Sequence, residues 1–214
     1  MELIIKLTLC YLLGSISGSM IAGKFKGVDI RKMGSGNAGG TNAFRTMGTH
    51  FALVVLFIDL IKGFIAVQFI STFSLDRILP NSSINSEILS TICGCGVVLG
   101  HVYPLYYNFK GGKGAGTMMG VLLALFPKGL AICFFFWLMS LIITGYVGLS
   151  TIIAGIILPI STAIFYKGGM TTTFGIFTIA IAIFIIFTHR TNIIRMMAGN
   201  ENRFNKAMIF KKKT

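Results

Sequence analysis

Apolar residues fill this chain in long continuous runs, with the polar residues gathered between the runs. Such runs predict membrane-crossing helices, because a segment in hydrocarbon must satisfy its own backbone hydrogen bonds. The alternation that marks a membrane barrel strand is missing. The pattern predicts about seven helices of the length a bilayer requires. They run from about Leu3 to Ala22, Thr49 to Ser71, Glu87 to Gly100, Met118 to Phe126, Gly129 to Thr144, Thr151 to Tyr166 and Thr171 to Thr188. The third and fourth are short, as tilted or re-entrant segments would be. The expected fold class is therefore all-α, a polytopic integral membrane protein, with residues 1–214 forming a single membrane domain.

Between these runs lie two glycine-rich polar loops. The first, Gly27 to Gly48, sets Gly34, Gly36, Gly39 and Gly40 among Ser35, Asn37, Thr41 and Asn42, with Arg31, Lys32 and Arg45 around them. The second, Gly100 to Thr117, sets Lys110 and Lys113 among Gly111, Gly112, Gly114 and Gly116. Glycine lets main-chain N–H groups converge on a concavity, and Ser, Asn, Thr, Arg and Lys add donors. Both loops suit a multiply charged oxygen anion such as phosphate, against the alternative of plain connecting turns. Gly34-Ser-Gly36-Asn-Ala-Gly39 fits the dinucleotide pattern, but no strand precedes it and no βαβ unit surrounds it. Gly114 follows Lys113, and Tyr107 stands at the first glycine position, so the second loop is no P-loop. Tyr103, Tyr106, Tyr107 and Phe109 are expected at the membrane interface as an aromatic belt.

Composition changes the picture in one respect. The 214 residues are 54% hydrophobic and 12% charged, yet the net charge is +13, with a mean hydropathy of +0.82. Such a charge reads first as a nucleic-acid signal, but its placement assigns it to membrane topology. With seven spans, Lys24, Lys26, Arg31, Lys32, Arg45, Lys110, Lys113, Arg190, Arg195, Arg203, Lys206 and Lys211 to Lys213 share one side. The opposite side holds only Arg77, Lys128 and Lys167. The basic side is expected to be cytoplasmic, with the N-terminus outside, the C-terminus inside and no nucleic-acid partner. Glu2 precedes Lys6 at the N-terminus and a basic loop follows, so the first run reads as an uncleaved helix.

Asp59 and Lys62 share a helix face deep within the second run, where an ion pair that orients the helix is the favoured reading. Gly14, Ser15, Ser17, Gly18 and Ser19 read as a seam for close helix packing. Cys10, Cys93, Cys95 and Cys133 lie in apolar runs and read as reduced structural thiols. The three histidines are dispersed and the acids are few, so neither metal nor cofactor is expected. No GxSxG elbow is present, and His50, His101 and His189 lack an Asp five residues on,. A substrate carrying its own leaving group and base would need no such machinery.

The chain resembles the bacterial acyl-phosphate-dependent glycerol-3-phosphate acyltransferases, the PlsY family, over nearly its full length. The residues carrying the resemblance are Asp29-Ile-Arg31, Gly34-Ser-Gly-Asn37, Thr41-Asn42 and Arg45, then Asp59, Lys62-Gly63, Gly100-His101, Pro104, Phe109 to Gly114 and Thr117. His189-Arg190, Asn192-Ile193, Arg195, Gly199 and Glu201 complete it. It implies transfer of a fatty acyl group from acyl phosphate to the 1-hydroxyl of sn-glycerol 3-phosphate. The products would be lysophosphatidic acid and phosphate, in the first step of bacterial phospholipid synthesis. The expected site is a bacterial plasma membrane, in contact with membrane lipid and a soluble enzyme that forms acyl phosphate. Ser35, Arg45, Lys113 and His189 would be catalytic. Gly34, Gly36, Asn37, Thr41, Asn42, His101, Lys110, Gly111, Gly112, Gly114, Thr151, Asn192 and Glu201 would bind substrate. Members usually carry Ser where this chain has Gly148, and Ser150 offers a hydroxyl two residues on. An organic-phosphate transporter and an inactive lipid-precursor-binding paralogue are the alternatives.

Overall fold

A computed structural model describes residues 1–75 and 84–209, with Lys206 described by its backbone alone. The residues Arg77, Pro80 and Asn81 of the expected external loop, and Lys211 to Lys213, lie outside the described residues. Among the described residues the regular structure is all helical. The chain divides into two compact units, Met1–Leu125 and Phe126–Thr214.

Among its described residues the first unit holds six α-helices: α1 (Glu2–Gly14), α2 (Gly18–Lys26), α3 (Gly40–Met47), α4 (Thr49–Ile65), α5 (Ser86–Val102) and α6 (Ala115–Leu125). Three stretches are long and apolar enough to cross a membrane: Glu2–Lys26, Thr49–Ile70 and Ser86–Tyr107. The expected first helix is thus broken at Ser15–Ser17 into α1 and α2. The expected third helix is a full-length span. By contrast α6 has 11 residues, or roughly 16 Å at 1.5 Å per residue, against about 30 Å of hydrocarbon. Inside the first glycine loop lies a helix that the apolar pattern did not predict, α3, whose exposed face carries Thr41 and Arg45 and whose buried face carries Asn42 and Ala43.

Glycines bring these helices close, as the seam reading expected. A Cβ on Gly14 would collide with the Val97 carbonyl, and one on Gly100 with the Tyr11 carbonyl. Gly96 and Gly100 are four apart on α5, so α1 lies directly against backbone, the usual mode of close helix contact in lipid. Gly100→Ala is expected to cost about 1–3 kcal/mol through overpacking. Thermal unfolding in detergent would show it, with Leu99→Ala, at a position 42% exposed, as the control. Equal midpoints for the two variants would refute the close approach.

Two lysines tie α1 to α4 at opposite ends. Lys6, paired with Glu2 at 2.7 Å, donates to the Ser71 carbonyl at 2.7 Å, just beyond the π turn that ends α4. Lys62 donates to the Gly14 and Ile16 carbonyls at 2.9 and 2.7 Å, where α1 ends. Each lysine therefore satisfies carbonyls that the other helix leaves unpaired at its C-terminus, which also suits the helix dipole.

The second unit holds α7 (Pro127–Thr144), α8 (Val147–Phe165), α9 (Thr173–Thr188) and α10 (Arg190–Met197). Of these, α7 and α8 are long and apolar enough to span, and α9 with α10 forms a pair bent by 51°. Gly145 turns α7 into α8 with φ +73°. The segment after α10 lies on that turn: Phe204 N–H donates to the Gly145 carbonyl at 2.7 Å and Arg203 stacks on Tyr146. The four cysteines are free, and all but Cys95 are buried.

Candidate active site

Within the first unit the two glycine loops meet. Asp29 caps a 3-10 turn over Ile30–Lys32, and the Arg31 fork closes on it through Nε at 3.1 Å and Nη2 at 2.9 Å. The same guanidinium donates from Nη1 to the Tyr107 carbonyl of the second loop at 3.2 Å. The Asp29 carboxyl is held below its ordinary range, foremost by its hydrogen bond from Arg31. The tie therefore persists at neutral pH and loosens only as pH falls through that lowered value.

Asn42 organises the first loop from beneath. It is 1% exposed. Its Nδ2 donates to the Ile30 and Met33 carbonyls at 3.2 and 3.0 Å, and its Oδ1 accepts the Ser35 N–H at 2.9 Å. Its amide is thus spent inside the loop, shaping the turn in which Gly34 and Gly36 take φ of +54° and +73°. Ser35, Thr41 and Arg45 are exposed above it, and Asn37 is half-buried with its amide over Gly39.

The second loop folds back on the end of α5. Gly111 and Gly112 N–H groups donate to the Val102 and His101 carbonyls at 3.2 Å. A Cβ on Gly112 would strike the His101 ring and sit 3.1 Å from the Ala38 carbonyl of the first loop, so glycine is what lets the loops approach. Gly114, at φ +90°, leads into α6. Lys110 is exposed and Lys113 half-buried.

His101 is buried rather than presented on a loop. Its Nδ1 lies 3.0 Å from Lys62 Nζ and 3.4 Å from Asp59 Oδ1. Lys62 and Asp59 pair at 3.1 Å, and Asp59 also accepts the Gly18 N–H at 3.2 Å. The pair is aligned with the broken helix: the cation faces the C-terminal end of α1 and the carboxylate the first residue of α2. His101 therefore links this buried ion pair to the Gly112 backbone.

In the second unit, His189 stands at the bend between α9 and α10. Its Nδ1 lies 2.8 Å from the Ile185 carbonyl. A carbonyl only accepts, so Nδ1 carries a proton and, in the neutral ring, Nε2 holds the lone pair. Asn192 and Arg195 share a face of α10. Asn192 Nδ2 donates to Glu201 Oε1 at 2.9 Å, and Arg195 Nε to Glu201 Oε2 at 2.6 Å. The Glu201 side chain is 1% exposed, so its charge is matched within this clamp. Thr151 donates to the Val147 carbonyl at 3.0 Å and lies 3.3 Å from Trp137 Nε1. Ser150 bonds the Tyr146 carbonyl and lies 3.3 Å from Ser140 Oγ on α7, so it does not replace a hydroxyl at Gly148.

The expected residues thus fall into two sets. Ser35, Arg45, Asn42, His101 and the glycines with Lys110 and Lys113 belong to the first unit; Thr151, His189, Asn192 and Glu201 belong to the second. Sequence reasoning missed the Arg31 link and the Trp137 partner of Thr151. The spacing Asp29-x-Arg31 on a tight turn was a usable signal for the former. A tryptophan in an apolar run offered none for the latter.

Apolar helices long enough to span, joined by glycine-rich polar loops, define an integral membrane protein. The model of the glycerol-3-phosphate acyltransferase family matches residues 4–199, and the chain belongs to that family. It is similar to the glycerol-3-phosphate acyltransferase of Chlorobaculum tepidum, 38% identical over 93% of this chain and 95% of that one. It is also similar to the crystal structure of PlsY, an integral membrane glycerol 3-phosphate acyltransferase, in its glycerol 3-phosphate form. The TM-score is 0.81 at 34% identity, over 95% of this chain and 96% of that one. The lysophosphatidic acid form of PlsY matches with a TM-score of 0.77 at 33% identity, over 95% of each chain. Family membership favours acyl transfer over the transporter alternative.

Proposed function

We propose that this chain transfers a fatty acyl group from acyl phosphate to the 1-hydroxyl of sn-glycerol 3-phosphate. The meeting of the two glycine loops, through Arg31 and Tyr107 and through Gly112 beside Ala38, carries this reading. The relatives that bear the acyltransferase name, and the PlsY forms with glycerol 3-phosphate and lysophosphatidic acid, support the substrate and product.

The hydroxyl oxygen attacks the acyl carbonyl carbon, the bond to the phosphate oxygen breaks, and lysophosphatidic acid and inorganic phosphate leave. The departing phosphate takes the hydroxyl proton, so no protein base is required. The protein supplies position and positive charge. Ser35, Arg45, Lys113 and His189 are the catalytic residues in this reading. Thr41, Lys110, Asn37, Gly34 and Gly114 hold phosphate oxygens; Gly36, Gly111 and Gly112, whose N–H groups go to the Met33, Val102 and His101 carbonyls, shape the loops, and Asn42, His101 and Glu201 act by fixing their neighbours. Thr151 and Asn192 complete the binding set. Residues 1–214 act as one domain of about seven membrane segments, with the N-terminus outside and the basic loops facing the cytoplasm across a bacterial plasma membrane. A soluble enzyme that forms acyl phosphate is the partner that supplies the donor.

Purified chain, glycerol 3-phosphate and palmitoyl phosphate should yield lysophosphatidic acid and inorganic phosphate in equal amounts. No product from folded protein would leave the inactive lipid-binding paralogue as the reading. In the same assay Lys113→Ala is expected to raise KM for one phosphate substrate about tenfold, the loss of one charged hydrogen bond. Unchanged KM for both would remove Lys113 from the site.

A further inference from the structure

Gly148 stands in the first turn of α8, and the Asn192 side chain occupies the room above it. A Cβ built on Gly148 would lie 2.8 Å from Asn192 Nδ2 and 2.9 Å from both its Cβ and its Cγ. No unstrained side chain fits there unless Asn192 moves. Gly148 does not take a positive φ, so what glycine provides here is space, not an unusual backbone. The same Asn192 amide holds Glu201 Oε1, whose partner oxygen is held by Arg195. Gly148, Asn192 and Glu201 are all buried. The neighbouring α8 hydroxyls are engaged elsewhere, Ser150 with the Tyr146 carbonyl and Thr151 with the Val147 carbonyl.

We infer that Gly148 is a positioning residue for Asn192. By leaving the first turn of α8 bare, it sets the rotamer from which Asn192 braces Glu201, and through Glu201 it sets Arg195. In this chain the polar group presented at that turn is the Asn192 amide, a donor suited to a phosphate oxygen, in place of a hydroxyl from residue 148. The assignment of that amide to substrate rests on the acyltransferase reading; the packing of 148 against 192 does not.

A double-mutant cycle on the full chain tests this. Gly148→Ala is expected to lower the thermal midpoint by about 2–12 °C, the shift for roughly 1–3 kcal/mol of overpacking in a chain of this length. It should also raise KM for glycerol 3-phosphate severalfold while kcat falls less. In an Asn192→Gly background, which removes the Cβ at 2.9 Å along with the amide, the same Gly148→Ala change should leave the midpoint unchanged or raise it, because the space is then empty. Equal midpoint shifts in both backgrounds would overturn the assignment. If Gly148→Ala alone cannot be recovered folded, recovery of the double variant is the supporting result and its failure the opposing one. Gly148→Ser should be less active than the parent; activity matching or exceeding the parent would show that the hydroxyl matters and the space does not. The thermal cycle needs no turnover. Coupled midpoints with no acyl transfer from the parent would therefore sink the acyltransferase reading alone, and additive midpoints with an active parent would sink the packing assignment alone.

Discussion

Replacing Asp59 by alanine is expected to destabilise the chain by about 3–5 kcal/mol, the cost of leaving a buried charge without its partner. Asp59 and Lys62 are 4% and 3% exposed and 3.1 Å apart. Without the carboxylate, the Lys62 ammonium keeps the Gly14 and Ile16 carbonyls but loses its counter-charge. The Gly18 N–H at the start of α2 loses its acceptor as well. At about 2–4 °C per kcal/mol for a chain of this size, the thermal midpoint should fall by roughly 6–20 °C. Asp59→Asn keeps an acceptor for Gly18 without the charge and should fall between parent and alanine variant. Joint replacement by Asp59→Leu and Lys62→Met should recover part of the loss, since apolar residues can replace a buried pair at little cost. Recovery stays partial because the two carbonyls then lack a donor. An Asp59→Ala midpoint within a degree or two of the parent would show that the pair is not what holds the broken helix.

Loss of the Arg45 guanidinium should lower kcat/KM for acyl transfer by about 10²–10³, the range seen when one charge-stabilising donor is removed. Arg45 lies exposed in the last turn of α3, one turn beyond Thr41. Its truncation opens no cavity, so Arg45→Ala should keep the parent's midpoint to within about two degrees, as surface substitutions do. Arg45→Lys should recover only part of the rate, because a lysine carries the charge without the planar fork that grips two phosphate oxygens. Parent-like turnover by folded Arg45→Ala would remove the residue from the catalytic set. The pair of measurements separates a structural argument, which moves the midpoint, from a chemical one, which moves the rate.

Much of this is legible in the sequence. The start of α4 at Thr49 and the ends of α7 at Thr144 and α9 at Thr188 coincide with the limits of the apolar runs. The Asp59 and Lys62 spacing of three residues already implied a shared face. Three features were harder to read. The break at Ser15–Ser17 sits in a run of small residues that also suits an unbroken helix. The α3 helix is short and polar, so hydropathy passes over it and only its alternation of exposed Thr41 and Arg45 with buried Asn42 reveals it. The kink at His189 leaves the helical spacing of Asn192 and Arg195 intact while turning both by 51°.

Hydropathy and charge alone make the chain a set of membrane helices with basic, glycine-rich loops. An apolar stretch in hydrocarbon has almost no other way to satisfy its backbone. Which polar groups are spent on one another emerges only once the chain is folded. Asn42 lies inside its own loop, His101 sits on a lysine 39 residues away, Glu201 is clamped by Asn192 and Arg195, and Gly148 gives Asn192 its room. Periodicity is local, whereas these pairings depend on where helices cross, and a crossing is set by close packing between segments far apart in the chain.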